Sequence, residues 1–546
     1  MKFWRAADIS KLIAIAAITF MAISTGVQPV HSANILGVFL SPSPSHLIVH
    51  MSIMKTLAER GHNVTVVTGQ KSKVNHEKIH NIIIEPSEAL QRKFNEELSG
   101  LGTKKKSMWK MLTRVITADT VMFTIQLDVL KNERLQEIYE TNYDLVIMGY
   151  FMNNFQWIVP AKLNCPMILS WTGQPTEMIN ELVGVPHEVS YVPSYFMTQK
   201  NGEVPSFSSR LLNIFANAAL RLFITGMDIR LEARYKELAA GDTTLRTYHQ
   251  MRENVSLIFC NSHFSEGPIR PLVPGIVEIG GIQIKDKPDP LPKTLSDFLN
   301  ASKPNGAKLF SLGSIMKASN VQPATVQIIY KVLSSLKQNV IWKWEDLSNT
   351  PGNASNILYQ KWLPQDDILA HPNLKLFITH AGKGGMVESI YNGVPMVAMP
   401  VFAEQPANAD KIVSSGYGLQ VDILNLKEEP FREAITEVLN NPVYRNNVQA
   451  FSKLYRDRPL SARENVIYWV EYVLRHRGAA HMQSPLVRMN FLQSSSLDVF
   501  LTIIVALYAI WKVLKWAFKG LRKLIRLAIG KFKTVKPRKS KKSKKE

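Results

Sequence analysis

The sequence predicts two parallel-sheet α/β halves followed by one membrane-crossing helix. Three observations carry that prediction. Apolar runs of strand length recur in both halves, separated by helical patterns. A Pro-rich stretch, Lys285–Pro292 (KDKPDPLP), interrupts them near mid-chain. A long apolar run, Leu497–Phe518, lies close to the C-terminus.

The first half opens on residues 34–40 (NILGVFL), which read as a buried strand. The turn SPSPSH follows, then a helical pattern over 46–60 and a second strand over 63–68 (NVTVVT), together a βαβ unit. Runs at 144–148 and 166–170 extend the series. A second series follows the Pro-rich stretch, with strands at 308–312, 339–342, 375–379 and 395–399. Strands spaced by helices predict two parallel αβα sheets, over residues 33–280 and 281–490, with a linker near 281–295.

The two ends are not part of that fold. Lys2, Arg5 and Lys11 precede an apolar stretch at 12–27, and Val30 and Ser32 suit cleavage before Ala33; residues 1–32 read as a secretory signal. The 22 residues of Leu497–Phe518 would rise about 33 Å as a helix, enough for a hydrocarbon core of about 30 Å. Basic residues follow this span, over 519–546, which places the tail in the cytosol and the body across the membrane. Residues 519–532 mix apolar and basic side chains, as an interfacial helix does. The ending Lys542-Ser543-Lys544-Lys545-Glu546 fits a dilysine address for the endoplasmic reticulum. Asn63, Asn254, Asn300 and Asn353 are glycosylation sequons in such a compartment.

Charge narrows the partners. The chain of 546 residues carries +21, but 15 Lys or Arg against one acid lie from Lys512 onward. Only about +7 remains for the rest, so the basic signal is a tail and not a nucleic-acid surface. Two cysteines exclude a disulfide scaffold or a Cys-based zinc module. The balance of 46% hydrophobic to 20% charged residues excludes a mostly disordered chain.

In open parallel sheets, ligands bind beyond the carboxyl ends of the strands. Three loops of the second half lie there: Gly313-Ser314, His380–Gly385 (HAGKGG) and Pro400–Gln405. A small-residue loop entering a helix offers backbone N–H groups and the positive helix end to phosphate. Taken alone, such a loop is equally a tight strand–helix turn.

The run Lys361–Gln405 (KWLPQDDILAHPNLKLFITHAGKGGMVESIYNGVPMVAMPVFAEQ) is more specific. It resembles the donor signature of the UDP-glycosyltransferases, in their membrane-bound, insect-like animal branch. SLGS at Ser311–Ser314, VEIGGI at Val277–Ile282 and RGHNVTVVT at Arg60–Thr68 extend the match over nearly the whole chain. The resemblance implies a GT-B fold, two facing Rossmann-like domains with the active site between them. It implies that Trp362 stacks on uracil, Gln365 lies near the ribose, and Glu388 takes the ribose hydroxyls. His380 would contact the pyrophosphate, helped by Gly382, Gly384, Gly385 and Ser314. Glu404 and Gln405 would grip the sugar, with Asn408 a weaker candidate. Two departures stand out: Ala381 in place of a common Gly, tolerable if its φ is negative, and Gly384 in place of a common Asn. Lys383 adds a charge that would touch a phosphate or face solvent.

By the same resemblance His46 is the general base that takes the acceptor's proton while the anomeric centre inverts. His50, one turn on, is the lesser candidate. The carboxylate that usually orients the base falls at Gly149, and no Asp or Glu occurs from 145 to 176. Asp144 lies at the wrong end of its strand. Asn153, Asn154 and Tyr150 are the substitutes on offer.

The expected function is transfer of a hexose, with UDP-glucose preferred over UDP-glucuronate, to hydroxyls of small lipophilic acceptors for clearance. The expected site is the endoplasmic reticulum membrane, with a lumenal body. No metal or cofactor is expected. The rival expectation, raised by Gly149, is a UDP-sugar-binding pseudoenzyme or partner subunit. A homo-oligomer stays open.

Overall fold

The computed structural model describes residues 32–99, 121–194, 197, 199, 202–303, 305–314 and 321–533. The expected signal peptide, up to residue 31, and the dilysine-like ending lie outside them. The chain forms two compact units, Met1–Ser484 and Pro485–Glu546.

The first unit holds two sheets. One contains β1 (Asn34–Phe39), β2 (Asn63–Thr68), β3 (Ile79–Ile83), β4 (Leu145–Gly149), β5 (Met167–Trp171), β6 (Val255–Cys260) and β7 (Ile276–Glu278). All pairs are parallel, in the order β3-β2-β1-β4-β5-β6-β7. The other contains β8 (Ala307–Ser311), β9 (Asn339–Lys343), β10 (Ile357–Gln360), β11 (Leu374–Thr379), β12 (Met396–Ala398) and β13 (Gly418–Gln420). Its order, β10-β9-β8-β11-β12-β13, repeats the same winding. In each sheet the order reverses beside the first strand, between β1 and β4 and between β8 and β11. Ligand crevices open at such points, at the carboxyl ends.

Helices cover both faces, so the central strands are mostly apolar with no polar alternation. β4, β5, β6 and β8 are buried at every position. Each fully buried Val, Leu or Ile contributes about 1.5–3 kcal/mol. Helix α1 (Pro44–Arg60) starts with Pro44 in its first turn, where the missing N–H costs nothing. It ends at Gly61, whose φ of 108° suits glycine. Leu47, Met51, Met54 and Leu57 of α1 bury on the first sheet.

Helix α2 (Phe207–Ala239) is capped by Ser206, which accepts from the Ser209 N–H at 3.2 Å. It is long and apolar enough to cross a membrane, yet Met227, Leu231 and Tyr235 pack into the first half's core. Helices α3 (Gln365–Leu369), α4 (Lys383–Tyr391) and α5 (Gln405–Ser414) belong to the second sheet's layers. Helix α6 (Ala462–His476) returns to the first: Val466, Val470 and Val473 share a core with Ile35 and Leu57.

In the second unit, α7 (Leu497–Lys533) is one unbroken helix through both the expected span and the basic segment after it. Its stretch Leu497–Gly530 is long and apolar enough to cross a bilayer.

Candidate active site

The ends of β8 and β11 build the most constrained part of the site. Gly313 and Ser314 follow β8; His380, Ala381 and Gly382 join β11 to α4. The His380 ring is seated between two glycines. A Cβ on Gly313 would lie 2.5 Å from its Nε2, and one on Gly382 would lie 2.4 Å from the same atom. Gly313 also has φ of 84°, so glycine is required there twice over. Burial, then the nearby Lys343 charge, pushes His380 down to about 4. Its Nδ1 is buried with no partner among the described residues, as is the Ser314 hydroxyl oxygen. Gly382 caps α4, so the amides of Lys383, Gly384 and Gly385 lack intrahelical acceptors. Two orphaned polar side-chain atoms and a helix N-terminus thus meet at one crevice, a setting suited to a diphosphate. A Cβ on Gly384 would meet nothing within 4 Å, so this departure from Asn leaves open space.

Two expectations about this loop are corrected. Ala381 does not have a negative φ; it stands at 60°, in the left-handed region, at a cost of about 1–2 kcal/mol. It is fixed there because its N–H donates to Thr379 Oγ1 at 3.3 Å and its carbonyl accepts from Asn408 Nδ2 at 2.9 Å. Asn408 is therefore a brace for the loop. Lys383 does not face solvent: its ammonium pairs with the buried Glu266 carboxylate of the first half. Burial works against the charge on Glu266, but Lys383 and Lys411 outweigh it and hold the carboxyl below its ordinary range.

The neighbouring wall carries the ribose and base candidates. Glu388 accepts from Gln365 Nε2 at 2.7 Å, which ties α4 to α3. Trp362, 39% exposed, belongs to none of the core clusters and presents its ring to the cavity. Lys73 from the first half lies over that ring, 5.2 Å from its centroid. At the start of α5, Gln405 Oε1 accepts from Val401 N at 2.9 Å and Phe402 N at 3.2 Å. Its amide nitrogen is left for a ligand. Glu404 is half-buried, and burial raises its carboxyl.

Burial pushes Glu388 up to about 8, well above the ordinary value of about 4.3. The folded state therefore holds a proton that the unfolded chain releases. The stability this supplies is complete below about pH 4 and is lost as pH rises through about 8. Glu388→Gln, which cannot ionise, should gain Tm relative to the parent as pH climbs from about 5 to about 9. Thermal unfolding across that range measures it. A Tm difference independent of pH would refute the shift.

The first half contributes His46 from the first turn of α1, half-buried and facing the cavity. Phe151 lies beside it, ring centroids 5.8 Å apart. Burial pushes the imidazole down to about 4, so it is neutral and proton-accepting near neutral pH. The expected substitutes for an orienting acid are spent elsewhere. Asn153 Nδ2 donates to the Gly149 carbonyl at 2.9 Å, and Asn154 Nδ2 to the Tyr248 hydroxyl at 2.9 Å. Tyr150 is buried in the core. Asp144 accepts from the Asn34 N–H at 2.8 Å, at the far end of the sheet.

One cavity of about 1540 Å³ joins these groups. His46, Ser314, Trp362, Gln365, His380, Gly382, Gly384, Gly385, Glu388, Glu404 and Gln405 all line it. Its second-half wall is mostly polar. Its first-half wall is mostly apolar, with Phe123, Phe151, Trp171, Leu220, Phe223 and Met227. These residues were not foreseen, although Phe151 and Trp171 sit at the ends of β4 and β5, where a parallel sheet binds ligands. In the segment 191–196 (YVPSYF), Pro193 and Ser194 line the cavity; Tyr195 and Phe196 fall outside the described residues.

The family model described as "UDP-glucoronosyl and UDP-glucosyl transferase" matches residues 38–531. The chain belongs to this UDP-glycosyltransferase family. Among similar UDP-glycosyltransferases, UDP-glycosyltransferase UGT5 of Dactylopius coccus is 30% identical, covering 95% of this chain and 98% of its own. UDP-glucuronosyltransferase 1A6 of Mus musculus is 31% identical, covering 93% and 96%. Among solved structures, the spinosyn forosaminyltransferase SpnP superposes with a TM-score of 0.53 at 12% identity, over 82% of this chain and all of its own. The kitacinnamycin glycotransferase does so with 0.52 at 16%, over 82% and 99%. The fold is GT-B, and the chain is a glycosyltransferase enzyme that uses a UDP-sugar donor.

Proposed function

We propose that this UDP-glycosyltransferase moves glucose from UDP-glucose to hydroxyl groups of small lipophilic acceptors, by direct displacement at C1. The observation that carries the reading is the cavity's two poles: an apolar aromatic wall around His46 faces a polar wall around His380 and Glu388. Trp362 stacks on the uracil, since an aromatic ring holds a flat base by its face. Gln365 and Glu388 take the ribose hydroxyls. The amides of Gly384 and Gly385, with His380 and the Ser314 hydroxyl, hold the diphosphate, and Gly382 opens the loop for it. Glu404 and Gln405 hold the hexose.

In the reaction the acceptor O–H gives its proton to a His46 ring nitrogen. Its oxygen bonds to C1 as the bond from C1 to the β-phosphate oxygen breaks, and that electron pair leaves on UDP. Inversion follows from a single attack opposite the leaving group. Preorganised donors around the diphosphate stabilise the departing charge. Among the described residues no carboxylate supports His46, so its basicity is modest, and acidic phenols need less help than alcohols. Glucose is preferred because two of the cations lining the cavity are engaged: Lys383 with Glu266, and Arg270 with the Pro175 carbonyl.

The exposed apolar helix α7 anchors the enzyme, and the basic tail after it sets the body on the lumenal side of the endoplasmic reticulum membrane. Acceptors dissolved in the bilayer would then be processed for clearance. The test supplies membranes containing the protein with UDP-glucose or UDP-glucuronate and a panel of phenols and alcohols. UDP release with UDP-glucose, faster for phenols, is expected. Release with UDP-glucuronate alone would overturn the donor assignment.

A further inference from the structure

His50 is a buried imidazole one turn from His46 that the reaction above does not use. It is held on two sides. Its Nδ1 hydrogen-bonds to the Ser170 hydroxyl of β5 at 2.8 Å, and its ring stacks on Phe39 of β1 with centroids 4.8 Å apart and planes 14° from parallel. Its Nε2 faces the end of β4, where a Cβ on Gly149 would approach within 3.0 Å. Glycine at 149 is what leaves room for this ring. Nε2 has no hydrogen-bond partner among the described residues. A nitrogen so rigidly placed is a ready acceptor for a neighbouring N–H.

His46 has the complementary need. A general base works in one tautomer, fixed by a partner on its second nitrogen. Among the described residues no hydrogen bond reaches the His46 ring, and burial alone sets its proton affinity. Residues four apart on a helix are neighbours. Of the titratable groups, His46 is the one whose charge acts on His50.

We propose that His50, fixed by Ser170 and Phe39, is the positioning residue for His46. With Nδ1–H donated to Ser170, the Nε2 lone pair accepts the His46 N–H through one water. The other His46 nitrogen is then left bare toward the acceptor. The proton taken from the acceptor stays on His46; His50 orients and remains neutral. This inference rests on the transferase reading above.

The test is His50→Phe in the full-length enzyme, with the pH profile of kcat/KM and the Kd for UDP. Phenylalanine keeps the stack on Phe39 and lacks both nitrogens. Loss of kcat by about 10–100-fold is expected, with the acid limb moved to lower pH and UDP affinity unchanged. His50→Gln, which keeps an acceptor, should recover part of the rate. Should His50→Phe not fold, Ser170→Ala, which frees the ring, is expected to shift the same limb in the same direction. Unchanged kcat and acid limb in a folded variant would overturn the inference alone. A wild-type enzyme that binds UDP but shows no His46-dependent turnover would overturn the transferase reading with it.

Discussion

His46→Ala should lower kcat by about 10²–10⁴-fold while leaving the affinity for UDP unchanged. The side chain stands in the first turn of α1, at the apolar pole of the cavity, and its ring lies tilted beside Phe151. Alanine is the best helix former, so α1 and its buried face should survive the change. No donor-side residue comes from α1, so UDP should bind as before. With the imidazole pushed down to about 4, the wild-type rate should stay level as pH falls from neutral and drop only near that value. Initial rates with a phenol and an alcohol, beside UDP binding by calorimetry, measure both effects. A loss under about tenfold with both acceptors would remove His46 from the base role.

Trp362→Ala should weaken UDP binding by about 10–100-fold, the equivalent of about 1–3 kcal/mol of base–aromatic stacking. The ring lies outside the core clusters, so the fold should barely notice its loss. Chemistry at C1 takes place at the other end of the donor. KM for the UDP-sugar should therefore rise while kcat at saturation changes little. Lys73 over the same ring adds a second consequence. Trp362→Phe should retain much of the affinity, because a smaller face still accepts both the base and the cation. Calorimetric titration with UDP distinguishes the three proteins; equal affinity in all of them would show that uracil does not stack there.

The donor wall was legible because its chemistry is local in sequence. Trp362, Gln365, His380, Glu388 and Gln405 fall in one run, where a strand end, a glycine loop and a helix start follow one another. The strands β1, β4, β5, β8 and β11 were legible for a related reason: burial on both faces makes them mostly apolar and leaves no alternation to misread. β7, β12 and β13 are only three residues long; β12 was found within a longer run, the others were not. β6 (VSLIFC) is an apolar run that periodicity alone does not separate from a buried helix segment.

What stayed hidden was contact between distant segments. The Lys383–Glu266 pair joins residues 117 apart, and His50 and Ser170 are 120 apart. No local pattern marks either. The positive φ of Ala381 is set by Thr379 and Asn408, so residue type at 381 gave the wrong guide. The acceptor wall draws on Phe123, Phe151, Trp171 and Phe223, each an ordinary apolar residue until the fold collects them.

The central claim is a division of labour between the two walls of one cavity: donor grip on the second half, proton transfer on the first. Measuring kcat and the UDP Kd on the same preparations of wild type, His46→Ala and Trp362→Ala tests it most directly. The expected result is a split, with His46→Ala losing kcat at constant Kd and Trp362→Ala losing affinity at nearly constant kcat. Both variants losing affinity and kcat together, or His46→Ala retaining full turnover, would contradict it.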